Sequence, residues 1–186
     1  MDLVPELRLG LFNGWWFSAA YLLINGVVIA AIPREAVKRL TVHPSNSLFD
    51  KILLKVQMIL FFGNIVFAIF VPLKLGTGWF WSGLSVFVIG MIGYVVSMVN
   101  YANTPMDKPV VRGLYRISRN PIHVSSFIAW LGVGIATMSW IILLIAIVEQ
   151  ILMHKTTLDE ERFCLEAYGD SYREYMEKVP RYLLFF

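Results

Sequence analysis

The chain has 186 residues, of which 58% are hydrophobic and only 16% charged, and its mean hydropathy is +0.65. A soluble domain carries roughly a quarter of charged residues, so composition excludes a water-soluble fold and predicts an integral membrane protein. The lone cysteine, Cys164, excludes an intramolecular disulfide and a thiolate metal cluster, and the net charge of +3 sits in short segments beside apolar runs, a topology signal rather than a nucleic-acid surface.

Read in chain order, residues 1–5 carry no basic n-region, which argues against a cleaved signal peptide. Four uncharged stretches follow. Residues 9–33 open with the interfacial aromatics Phe12, Trp15 and Trp16. Residues 56–73 are just long enough to span at about 1.5 Å per residue. Residues 75–106 begin with Gly76, Gly78, Trp79 and Trp81, so the second and third spans form a hairpin with a very short loop through Pro72 and Lys74. The fourth stretch, 120–148, is either one tilted helix or a tight hairpin turning near Thr137, Met138, Ser139 and Trp140.

Lys/Arg counting separates these alternatives. With the hairpin, fourteen of the sixteen basic residues fall on one side, leaving Arg8 and Lys74 opposite; a single helix would move five of them across. The expectation is therefore an all-α integral membrane protein of about five transmembrane helices, the last two a tight helical hairpin. Its N-terminus lies outside and its C-terminus and active site are cytoplasmic. Residues 1–104 would supply three helices, and 105–186 a connector, the hairpin and a tail.

The last arm is predicted to run on past the membrane from about Trp140 to Tyr168, with Gly169 as its stop. Along it Gln150, His154, Thr157 and Glu161 share one face, and Glu149, Met153, Thr156 and Glu160 the adjacent stripe. Polar faces descending into a bilayer are costly unless they line a cavity or meet a partner. The segment 170–182 reads as a short cytoplasmic amphipathic helix ended by Pro180.

Arg112, Arg116 and Arg119 cluster at the mouth of the fourth stretch, where cations favour anionic headgroups or an anionic ligand. Each polar candidate has a plainer reading beside it. Arg116 serves equally as a positive-inside anchor, and Asn120-Pro121 as an ordinary helix start, although a helix N-terminus also suits a carboxylate or a ribose. Tyr115 is at home at an interface or stacked on an adenine; His123 can be packing or ligand; Glu160 and Glu161 can be a solvated face. His43, His123 and His154 lack metal-ligand spacing, so no metal is expected, and the glycine patterns of nucleotide folds and serine hydrolases are missing.

As an ordered set, Gly113-Leu114-Tyr115, Arg119-Asn120-Pro121-Ile122-His123, Glu160-Glu161, Tyr168-Gly169-Asp170-Ser171-Tyr172-Arg173-Glu174-Tyr175 and Val179-Pro180-Arg181 resemble the isoprenylcysteine carboxyl methyltransferase family and its phospholipid N-methyltransferase relatives. Asn120 stands where that family has histidine and His123 where it has tyrosine, while His154-Lys155-Thr156 replaces a segment with a substrate arginine. The resemblance implies that S-adenosylmethionine is bound in a pocket closed by the tail, held by Pro109, Val110, Tyr115, Arg119, Asn120, Pro121, Ile122, His123 and Glu160. It implies a lipophilic acceptor arriving from the bilayer near His154, Lys155 and Glu161, with Arg116, Lys155 or Arg173 orienting a carboxylate. The first acceptor expected is the C-terminal carboxylate of a prenylated cysteine, which needs no general base. An amine-lipid headgroup is the rival, and would require a neutral base such as His154 or a glutamate. A sterol reductase is disfavoured by length. A non-enzymatic lipid-binding protein would explain the polar stripes but not the ordered motifs.

Overall fold

The computed structural model describes residues 6–41 and 47–183; His43 lies outside them. Regular structure among the described residues is helical, apart from one isolated bridge between Asn13 and Pro72. Helix α1 spans Trp15–Ala31 and is separated by Pro33 from a short α2, Arg34–Thr41. The sequence reading passed over α2, whose charges look like a loop. Its Glu35 lies in the first turn and Lys38 and Arg39 in the last, the arrangement that complements a helix dipole.

Helix α3, Leu48–Phe70, starts earlier than the uncharged run at 56 suggested. Ser47 caps it by accepting from the Asp50 amide at 3.1 Å, so charged residues occupy its first turns. The expected short loop then carries Gly76 at φ +74° into α4, Gly78–Ala102, capped by Thr77 accepting from Phe80 N. A connector with a 3₁₀ turn over Gly113–Arg116 leads to α5, Pro121–Thr137, with proline in its first turn. Met138, in the left-handed region at φ 53°, and the Ser139 cap on Ile142 N turn the chain into α6, Trp140–Tyr168. Gly169, at φ 56°, stops α6 and starts α7, Asp170–Lys178. The hairpin, its turn and the extent of α6 match the sequence reading.

Helices α3, α4 and α6 are long and apolar enough to cross a membrane; α1 and α5 are apolar but only 17 residues each. The most apolar windows of α3 and α6 bury just 17% of their residues inside the protein. Ile59, Phe62 and Ile151 are among the side chains left outside, which suits lipid as the surrounding medium.

The tightest packing is between α4 and α5. A Cβ added at Gly83 would strike the backbone of Ala136 and Gly132, and one at Gly90 the backbone of Ala129 and Ser125. Small residues thus bring the two backbones together, as membrane helices do in place of a hydrophobic drive. This seam joins the two halves expected from sequence across their boundary at 104. On the other side of α5, Tyr21, Phe61, Tyr94 and Trp130 form an aromatic cluster linking α1, α3, α4 and α5.

Candidate active site

The side of α5 that faces away from the α4 seam borders a cavity of about 390 Å3. Leu54, Met58 and Phe61 of α3 and Phe127 of α5 supply apolar wall. The polar stripes of α6 reach it at Glu149 and Gln150, so they line a cavity, one of the two ways their cost can be met. Glu149 forms no ion pair or hydrogen bond with a described residue.

Helices that carry no sequence motif complete the walls. Tyr94 Oη donates to Asn25 Oδ1 at 2.5 Å, Asn25 Nδ2 donates to the Tyr21 carbonyl at 2.9 Å, and the Tyr21 and Ser126 hydroxyls lie 3.3 Å apart. Gln57 Nε2 donates to Thr156 Oγ1 at 3.4 Å. The indole N–H of Trp130, a residue of the cavity wall, is buried with no hydrogen-bond partner among the described residues. Tyr21, Asn25 and Gln57 were missed from sequence. The available signal was an uncharged polar side chain inside an apolar span.

His123 belongs both to this cavity and to the surface beyond it. Its Nε2 lies 3.6 Å from Glu160 Oε2, with the two side chains 24% and 37% exposed. Tyr115 and Val110 are buried nearby in chain, while Pro109 and Ile122 are half-buried. Burial, then the neighbouring Tyr101, Tyr175 and Glu160, pushes the Tyr115 phenol well above its ordinary range, so it stays neutral.

Arg119 and Glu161 form a buried ion pair, Nε to Oε1 at 3.0 Å. Around it the tail is strapped down. Arg119 Nη1 donates to the carbonyls of Met176 at 2.8 Å and Val179 at 2.7 Å, and its backbone N–H donates to Pro180 O at 2.9 Å. Asn120 Nδ2 donates to Glu161 Oε1 at 3.1 Å, and Arg181 Nε to Glu161 Oε2 at 3.0 Å. Ser118 Oγ donates to Arg181 O, and Tyr175 Oη to Tyr115 O at 2.6 Å. Pro121 caps this knot as the buried first residue of α5.

The remaining candidates lie elsewhere. Arg116 is exposed, and Arg173 is exposed and paired with Asp170 at 2.7 Å. Lys155 pairs with Asp159 and, at 3.5 Å, with Asp50. His154 is exposed, its Nδ1 3.1 Å from Tyr182 Oη. No group of histidine, cysteine and carboxylate residues able to hold a metal occurs among the described residues.

A family model, phospholipid methyltransferase, matches residues 71–171, more than half of the chain. The match runs from the turn before α4 to the start of α7 and takes in the connector, His123, Glu149, Glu160 and Glu161. None of the curated proteins matches the chain.

Proposed function

The chain belongs to the phospholipid methyltransferase family, and on that premise we propose that it transfers a methyl group from S-adenosylmethionine to the amine of a lipophilic acceptor held in the intramembrane cavity. The observation that carries the acceptor is charge. Among the described residues the cavity wall offers Glu149 and His123 but no lysine or arginine, so a cationic amine finds a counter-charge there, while a carboxylate would meet only neutral donors and His123.

S-adenosylmethionine supplies an electrophilic methyl group on a cationic sulfonium. Glu160, half-exposed and 3.6 Å from His123, and the buried ring of Tyr115 are chemically suited to such a cation. We assign the cofactor to the segment of Pro109, Val110 and Tyr115, the turn Asn120-Pro121-Ile122-His123, and Glu160. Arg119 contributes by holding the tail in place, since its guanidinium is committed to Glu161 and to tail carbonyls.

An amine acceptor arrives protonated and must lose that proton before its nitrogen lone pair can form the new bond. Glu149 and His123 are the groups on the cavity wall able to take it. The apolar wall from α3 keeps water out and accommodates a hydrocarbon tail. In this reading α1 and α3–α6 are five spans, with the N-terminus outside and the basic loops, α7 and the site on the cytoplasmic side.

A prenylcysteine carboxylate is the second reading, favoured by the ordered motifs around Arg119, Glu160 and Tyr168. It would need an orienting cation, and Arg116, Lys155 and Arg173 lie off the cavity wall. The test is transfer of a labelled methyl group by the protein in lipid, offered a lipid amine and a prenylated-cysteine analogue in parallel. Base-stable label on the amine supports the proposal. Label released by base as methanol from the analogue would replace it with the carboxylate reading, and no transfer to either, with S-adenosylhomocysteine still bound, would reject both acceptors.

A further inference from the structure

A second pocket, of about 250 Å3, lies where α1 and α4 end, between α2 and the start of the connector. Arg39 of α2 lines it. The guanidinium is held on one side: Nη2 donates to the Lys108 carbonyl at 3.0 Å and to Tyr168 Oη at 2.7 Å. Its central carbon lies 5.0 Å from the centre of the Tyr101 ring and 5.7 Å from that of Tyr168. Tyr168 is fixed in turn, its hydroxyl donating to the Met106 carbonyl at 3.2 Å.

On its other side Nη1 is buried and has no hydrogen-bond partner among the described residues, and Arg39 forms no ion pair with any of them. A buried charged donor left unpaired is costly, and a guanidinium fork held between aromatic rings is shaped for the oxygens of a phosphate or carboxylate.

Three observations select among anions. The pocket sits at the ends of two apolar helices, Ala31 and Ala102, the level at which lipid headgroups meet a membrane protein. Its volume is below the range of about 300–1,000 Å3 usual for drug-sized ligands, so it suits a headgroup rather than a nucleoside cofactor. Glu35, one turn before Arg39 on α2, lines the same pocket, and a carboxylate there penalises a dianion more than a monoanion.

We propose that the Arg39 pocket binds the phosphodiester of a membrane phospholipid, as a site separate from the methyl-transfer cavity. Helix α2 lies outside the segment that matches the family, and none of the residues assigned above to cofactor or acceptor lines this pocket.

The experiment is calorimetric titration of the whole chain in neutral detergent micelles with dihexanoyl phosphatidylglycerol, and separately with inorganic phosphate. S-adenosylhomocysteine is titrated into the same preparations. The expected result is saturable binding of the lipid, at least about tenfold tighter than that of phosphate, and weakened about tenfold or more by Arg39→Gln, the loss of roughly 1.4 kcal/mol. S-adenosylhomocysteine binding should be unchanged. Glu35→Gln, an exposed position, should tighten phosphate binding severalfold. Lipid binding unaffected by Arg39→Gln overturns the proposal. So does a variant that loses S-adenosylhomocysteine alone, which would give the pocket to the cofactor carboxylate. If Arg39→Gln does not fold, Glu35→Gln decides, and unchanged phosphate binding there overturns the proposal.

Discussion

Arg119 and Glu161, 42 residues apart in the chain, meet at 3.0 Å with both side chains almost wholly buried. The pair does more than neutralise itself. Arg119 also grips two carbonyls of the tail, and Glu161 also accepts from Asn120 and Arg181. Connector, α6 and tail are thereby joined at a single point.

Removing one partner of this pair leaves a buried charge, which costs about 3–5 kcal/mol. Arg119→Ala should therefore lower the melting temperature in micelles and expose the chain after Gly169 to protease. Glu161→Gln, which leaves the Arg119 guanidinium buried without its counter-charge and turns an amide NH2 towards other donors, should be destabilising in both assays as well. A tail that stays protease-resistant in Arg119→Ala would refute the strap.

Glu149→Gln should reduce methyl transfer to an amine acceptor by about a hundredfold or more, the usual contribution of a positioned base. Stability should not fall, because the variant removes an unpaired carboxylate from an apolar wall. Arg173→Ala, at an exposed position paired with Asp170, should leave the rate unchanged. Rates with saturating acceptor, measured beside thermal melts, check all three statements.

Gly83→Ala, Gly90→Ala and Gly132→Ala each set a methyl group against backbone across the α4–α5 seam. Backbone cannot step aside as a flexible side chain can, so each should cost about 1–3 kcal/mol or more. Gly26→Ala and Gly63→Ala meet nothing within 4 Å and serve as controls. Those two should be neutral or slightly stabilising, since alanine is the better helix former. Thermal unfolding of the five variants in one detergent provides the comparison.

The tail is also sensitive to alkali. Burial raises the phenols of Tyr115, Tyr172 and Tyr175 above their ordinary value. A raised folded value means that stability is complete below the unfolded phenol value of about 10 and is lost as pH climbs beyond it. Melting temperature should thus hold through neutral pH and fall in strong alkali. Tyr175→Phe, which removes the bond to Tyr115 O, should cost about 1 kcal/mol at neutral pH and make the alkaline fall shallower.

The α5–α6 hairpin was legible because Lys/Arg counting over the flanking segments favoured it over a single helix, and Gly169 marked the end of α6; the Ser139 cap at the turn came only with the structure. The polar stripe of α6 was legible because helical spacing alone puts Glu149, Gln150 and Glu161 on neighbouring faces. Other features depend on distant parts of the chain. Arg39 looked like an ordinary flanking cation until the fold brought Tyr101 and Tyr168 to it. The partners that hold Arg119 to the tail are backbone carbonyls, which no residue type advertises. The start of α3 was misjudged for a different reason. Asp50, Lys51 and Lys55 were read as a boundary, while the Ser47 cap already marks the helix start upstream of them.

Helix α5 divides the protein into a stiff half and a compliant one. One of its faces is locked to α4 by glycines and alanines; the other looks across the cavity to α3, which is tied to α6 by Gln57 on Thr156 and by Lys155 with Asp50. On the proposed function, a guest that needs more room would displace α3, little buried inside the protein, rather than α4. On that reading, selection would be strict towards the head of a molecule, which meets Glu149 and His123 on α6 and α5. It would be tolerant towards the length and branching of the tail, because the wall that meets the tail is the little-buried α3.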